Sequence, residues 1–140
     1  MTLEELNNLC KDTFIDLLNI EFTGITDAKI EAVMMINPDL CQPTGVVHGG
    51  ALISLAETVG SAGSFLLVDT KQFNTFGSTV YSQHLAPARS GGLHATAEIV
   101  VKNDFKHVWD VKIRDDEGNL VSISRVTNSI RRKKDTDNLN

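Results

Sequence analysis

Apolar and polar positions change period along this chain, and each change marks an element. Over residues 2–18, Leu3, Leu6, Cys10, Phe14, Leu17 and Leu18 recur at helical spacing, with Thr2 and Glu5 placed as a capping box at the start. This pattern predicts one amphipathic helix, which Gly24 and Thr26-Asp27 separate from the next element. Ala28, Ile30, Ala32, Met34 and Ile36 then alternate with Lys29, Glu31, Val33 and Met35, a period of two that predicts a strand. Asn37-Pro38-Asp39 closes it, because the residue before proline is driven out of helical geometry. Residues 39–47 read as a loop leading to a long helix that starts at Gly49-Gly50.

That helix is apolar or small throughout except for Glu57. Leu52, Leu55, Val59, Ala62 and Leu66 form one row, and Ser54, Glu57, Ser61 and Ser64 form a second on the opposite side. Its length approaches that of a membrane span, but Glu57, Thr58, three serines and several glycines interrupt it, so the reading is a buried core helix. Four strands are predicted after it, near residues 75–86, 92–102, 107–115 and 119–130. In the second, Leu93, Ala95, Ala97, Ile99 and Val101 alternate with polar neighbours; in the third, Trp109, Val111 and Ile113 oppose His107, Asp110, Lys112 and Arg114. The short connections predict hairpins and an antiparallel succession. The order implies an α+β fold, a curved antiparallel sheet wrapped around the long central helix. Residues 131–140 carry almost no apolar side chain and are expected to be a disordered basic tail. No internal repeat or linker divides the chain, so 1–140 is read as a single domain.

Composition narrows the chemistry. A net charge of −5 argues against nucleic acid as a partner. Cys10 and Cys41 make neither a disulfide framework nor a metal spacing, and His48, His84, His94 and His107 are scattered singly, so no metal or cofactor is expected. The absence of an opening signal-peptide pattern leads to a cytoplasmic expectation. No Gly-x-Ser-x-Gly elbow supports a serine hydrolase, and Cys41 has no base tied to it.

A mid-helix carboxylate is costly unless it is paired or used, and for Glu57 the spacing leaves both readings open: a structural carboxylate paired across a subunit interface, or a catalytic one. His48, taken by itself, reads as a capping or packing histidine, Gln42 as a loop residue facing solvent, and Ser54, Ser61 and Ser64 as small residues that allow close packing. A helix start rich in glycine also offers free N–H groups and a partial positive charge to an oxyanion.

Gln42-Pro43-x-Gly45-x-x-His48-Gly49-Gly50, with Glu57 nine positions beyond the histidine and Gly60-Ser61 after it, resembles the motif of the hotdog-fold acyl-CoA thioesterases. The phenylacetate-pathway branch, with its hydroxybenzoyl-CoA and dihydroxynaphthoyl-CoA thioesterases, is the nearest in appearance, and the resemblance spans about residues 30–131. It implies that Glu57 acts as nucleophile or as general base on water, and that the Gly49 N–H polarises the thioester carbonyl. His48 and Gln42 would lie beside the thioester, with Gly50, Ser61 and His84 near the substrate. For the phosphates of coenzyme A the candidates are Arg89, Lys102, Lys106, Arg131 and Arg132, with the turn from Asn103 to His107 favoured by the resemblance. It further implies a homodimer with the active site at its interface, assembling to a homotetramer. The expected activity is hydrolysis of an aromatic or medium-chain acyl-CoA; the alternatives are a non-catalytic acyl-CoA-binding or sensing domain, and a hydratase, for which no aspartate–histidine pair is apparent.

Overall fold

The computed structural model describes residues 1–134. The long helix forms where its pattern places it, as α3 over Gly49–Leu67. Six strands make one antiparallel sheet: β1 (Ile20–Ile25), β2 (Lys29–Met35), β3 (Phe73–His84), β4 (Gly92–Lys102), β5 (Lys106–Arg114) and β6 (Leu120–Arg132). Their order is β1-β2-β4-β5-β6-β3. The helix packs against β2, β3, β4, β5 and β6. Although α3 is long and apolar enough to cross a membrane, Leu55, Ala56 and Val59 are fully buried against that sheet. The predicted α+β arrangement, a sheet around a central helix, is the one observed.

Four features differ from the sequence reading. The N-terminal helix is two helices, α1 (Leu3–Leu9) and α2 (Phe14–Leu17). Asp12 breaks the run with a left-handed backbone (φ 59°), and Thr13 caps the second helix through its hydroxyl. β1 is an additional strand, in which Ile20 and Phe22 are buried while Glu21 and Thr23 face out. The predicted β3–β4 hairpin is absent, since β3 pairs with β6 and β4 with β2. The segment 85–91 instead runs across the end of the sheet, accepting from Val47 at Ala88 and from Ile36 at Gly91. By holding Val47 it also holds the loop that enters α3. Finally, Arg131 and Arg132 belong to β6, opposite Asn74 and Phe73, and Lys133 N donates to Gln72 O, so these residues are not a frayed tail; residues 135–140 of that predicted tail lie outside the described residues.

Two polar side chains that the sequence reading set on polar rows are buried. Ser64 is fully buried, accepting from Trp109 Nε1 at 2.9 Å and from Asn128 Nδ2 at 2.8 Å. At about 100° per residue, Ser64 lies roughly 80° around the helix from Ser54, which turns it toward the sheet. His107 is also buried: two residues before Trp109, it falls on the same inward row as Trp109, Val111 and Ile113, so strict alternation turns it to the core rather than against them. Its Nδ1 has no hydrogen-bond partner among the described residues.

Burial first, and the Lys102 charge second, hold the His107 imidazole below its ordinary value of 6.5. The unfolded chain therefore binds the extra proton more readily, and the folded state loses stability as pH falls from 6.5 toward that lower value. Urea midpoints are expected to fall between about pH 7 and pH 5, with a shallower fall in His107→Leu. Identical slopes would remove His107 as the source.

Candidate active site

The N-terminus of α3 is capped by His48, whose Nδ1 accepts from Gly50 N at 2.8 Å. With Nδ1 as the acceptor, His48 caps the helix, which is its capping reading. The carbonyl of His48 accepts from Ala51 N and Leu52 N. Among the helix's first four donors, only the Gly49 N–H has no partner among the described residues. A free N–H at the positive end of a 19-residue helix is suited to an oxyanion. The ring of His84 stands over it, Nε2 lying 3.0 Å from where a Gly49 β-carbon would be, and Ser122 Oγ holds His84 Nδ1 at 3.0 Å. Gln42, Gly49 and His84 line one hollow of about 350 Å3; Gln42 itself donates to Thr44 Oγ1.

Glu57 opens onto a different cavity, of about 580 Å3, together with Ser54, Thr58, Ser61, Ala62 and Phe65 of the same helix. Its carboxylate is half-buried and has neither a hydrogen bond nor an ion pair among the described residues. It packs on the backbone of Gly77: a β-carbon there would stand 2.5 Å from Glu57 Oε1. Gly77 sits at an irregularity in the β3–β6 pairing, a bulge that opens room at the sheet edge. Gly77→Ala should therefore push the carboxylate aside, and if Glu57 is the catalytic group, as proposed below, kcat should fall by about tenfold or more. The melting temperature should change little, because the displaced atoms are at the end of a flexible side chain. Full activity in that variant would show that the contact does not set the position of Glu57.

A third component was not legible as part of the site. Asn128 of β6 is fully buried, opposite Gly77 on one side and His107 on the other. It donates to Gly60 O at 3.1 Å and to Ser64 Oγ, and it accepts from Ser61 Oγ at 3.3 Å. The Ser61 hydroxyl proton is thereby directed at Asn128, leaving its lone pairs for the cavity. The alternation of Val126, Asn128 and Ile130 is the signal that would have placed Asn128 inward.

Lys106 lies elsewhere. It is exposed at the start of β5, next to Phe105, and its neighbour His107 lines a hollow with Leu67 and Val68 at the C-terminal end of α3. Helix rise separates the two ends of α3 by ~27 Å. The structure thus gathers Gln42, His48, Gly49, Gly50 and His84 at one end, sets Glu57 and Ser61 about two to three turns along, and leaves Lys106 at the other end. Glu57 and Gly49 do not line the same cavity of this chain.

A six-stranded antiparallel sheet curved around one long helix, with a free N–H at the helix start and an unpaired glutamate on the same helix, defines the class as a hotdog-fold thioester hydrolase. Comparison with known proteins agrees: the thioesterase superfamily matches residues 44–122, and this chain belongs to it. The 1,4-dihydroxy-2-naphthoyl-CoA hydrolase of Escherichia coli K12 is 32% identical over 130 residues, 93% of this chain and 95% of that one. A thioesterase of Pseudomonas aeruginosa superposes with a TM-score of 0.92 at 36% identity, covering 95% of this chain and 96% of that one. A thioesterase of Haemophilus influenzae does so with 0.90 at 36% identity, covering 94% and 92%.

Proposed function

We propose that this enzyme hydrolyses an aromatic or medium-chain acyl-CoA to the free acid and coenzyme A, with Glu57 as nucleophile or general base and the Gly49 N–H on the thioester oxygen. The observation that carries this reading is the half-buried, unpartnered carboxylate of Glu57 on the wall of an apolar cavity, on the same helix as the free Gly49 N–H. Eight residues separate the two by ~12 Å of rise, and helical side chains lean toward the N-terminus, which shortens the gap to the scale of a bound thioester. In this reading His48 and Gln42 orient the carbonyl or the water. Gly50, Ser61 and His84 contact the substrate, and Lys106 meets a phosphate of coenzyme A.

The division of the site between two hollows supports a dimeric active site. β3 forms one edge of the sheet, 12 residues long, and its sequence FNTFGSTVYSQH carries no Lys, Arg, Asp or Glu to guard that edge. Unguarded edges invite pairing with another strand. We infer a homodimer formed through β3, in which a second subunit closes the space between the hollows, and its assembly to a homotetramer in the cytoplasm, where acyl-CoA is at hand.

Free-CoA release from a panel of aryl and straight-chain acyl-CoA esters, from acetyl to palmitoyl, tests the activity. No release from any of them would overturn it. Sedimentation tests the assembly, and a stable, fully active monomer would overturn the interfacial site.

A further inference from the structure

The cavity beneath Glu57 has two walls of different origin. One is α3, joined by Phe22 and Thr75 of the sheet; the other is the elbow where α1 turns into α2. We propose that this elbow is the specificity wall of the acyl site, limiting the size of the acyl group and restricting it to uncharged chains or rings. This rests on the reading of Glu57 as the catalytic carboxylate.

Three observations carry it. Leu9, Cys10, Thr13, Phe14 and Ile15 of the elbow line the cavity together with Glu57. The elbow is held unequally. Asn7 pins α1 to β1 through two 2.9 Å bonds with the backbone of Phe22, whereas α2 leaves Phe14 and Leu17 at 61% and 73% exposure. Against the core-packed α3, the depth left to the acyl group is therefore set on the elbow side, by Leu9 and Phe14.

The chemistry of the lining separates the two walls as well. The Thr13 hydroxyl is already bonded to Cys10 O and Ile15 N, so the elbow presents carbon, sulfur and a spent hydroxyl to the cavity. The other oxygen-bearing side chains are Ser54, Glu57, Thr58 and Ser61 of α3 and Thr75 of β3. No lining residue is a cation, and Glu57 is the one charged group among them. A second carboxylate at the far end of an acyl chain would be desolvated without a partner and repelled by Glu57. A volume of about 580 Å3 is that of a small-molecule site, with room for an aryl or medium-chain acyl group.

The test measures kcat/KM across straight-chain acyl-CoA esters, with glutaryl-CoA against valeryl-CoA as the charge comparison. Binding of non-hydrolysable thioether analogues of the same series is measured in parallel. Leu9→Trp should lower kcat/KM and affinity for the longest accepted chain by roughly tenfold or more while sparing the shortest, since a methylene's worth of pocket space discriminates on that scale. Phe14→Ala should move the optimum toward longer chains. Glutaryl-CoA should be at least about tenfold poorer than valeryl-CoA. Both residues are exposed enough for the variants to fold, which circular dichroism verifies. If folded variants keep the wild-type size profile, as they would were a partner subunit to fill the cavity, the elbow is not the wall. Equal use of glutaryl- and valeryl-CoA would overturn the charge restriction. Thioether binding decides the question even if no ester is turned over, in which case the hydrolytic reading falls by itself.

Discussion

Glu57→Gln is expected to lower kcat about 10²–10⁴-fold and to leave KM nearly unchanged, the range over which a positioned acid–base group acts. Glutamine fills the same volume beside Gly77 and keeps a polar group on the cavity wall, so the fold and the binding surface stay intact. What it lacks is the capacity to take a proton or to attack a carbonyl. Because that capacity is used in the transition state rather than in the bound substrate, the loss should appear in kcat and kcat/KM together. A variant with wild-type kcat would remove Glu57 from the chemistry while leaving the fold and the family untouched. Single turnover in oxygen-labelled water separates the two roles. Label retained in the Glu57 carboxylate indicates an acyl-enzyme anhydride that water opens at the Glu57 carbonyl, and unlabelled first-turnover product acid accompanies it.

Trp109→Ala is expected to destabilise the fold by about 3–5 kcal/mol, as large-to-small changes of buried aromatic residues do. The indole is 1% exposed, and its six-membered ring lies so close to Gly63 that a β-carbon there would stand 2.5 Å from Cζ2. α3 can approach β5 this closely because position 63 has no side chain. The substitution would leave a groove along Gly63 and withdraw the Nε1 donor from Ser64, which would still accept from Asn128. Thermal or urea unfolding measures the effect, and a loss under about 1 kcal/mol would mean that the helix and sheet re-close over the gap. Activity per folded molecule should fall as well, since Ser64 and Asn128 share the network that directs Ser61.

The readable parts of this chain are those governed by local rules. The alternation in β2, β4 and β5 and the apolar run of α3 place their elements to within a few residues. The His48-Gly49-Gly50 start was legible because a helix N-terminus is a local feature: the cap, the glycines and the orphan donors all lie within about four residues. Glu57 stood out because a lone charge in an apolar helix is conspicuous in one dimension. Gly77 left a weaker trace, a glycine inside a strand pattern. Asn128 left less, one polar residue in an inward alternation whose partners are more than 60 positions away in the chain.

The misreadings share a cause. The N-terminal stripe keeps helical spacing across Cys10 to Thr13, yet one left-handed residue, Asp12, turns the chain and creates the elbow over the cavity. The short segment 85–91 looks like a hairpin turn by length, but its donors and acceptors are satisfied by Val47, Val121 and Ile36, and so it crosses the sheet instead. Neither competition can be weighed without the neighbours in place.

By itself, then, the sequence determined the types of most elements, the wrapping of a sheet around one central helix, and the placing of a helix N-terminus and a carboxylate two turns apart. Those properties follow from periodicity and from the backbone geometry of a single helix. Tertiary structure alone decided that β3 lies beside β6 at an uncharged edge, that Gly77 makes the space for Glu57, and that Asn128 orients Ser61. It also decided that Gly49 and Glu57 open onto separate hollows. These depend on which distant segments meet, and the energy of such meetings resides in packing and in hydrogen bonds between residues that the order of the chain does not bring together.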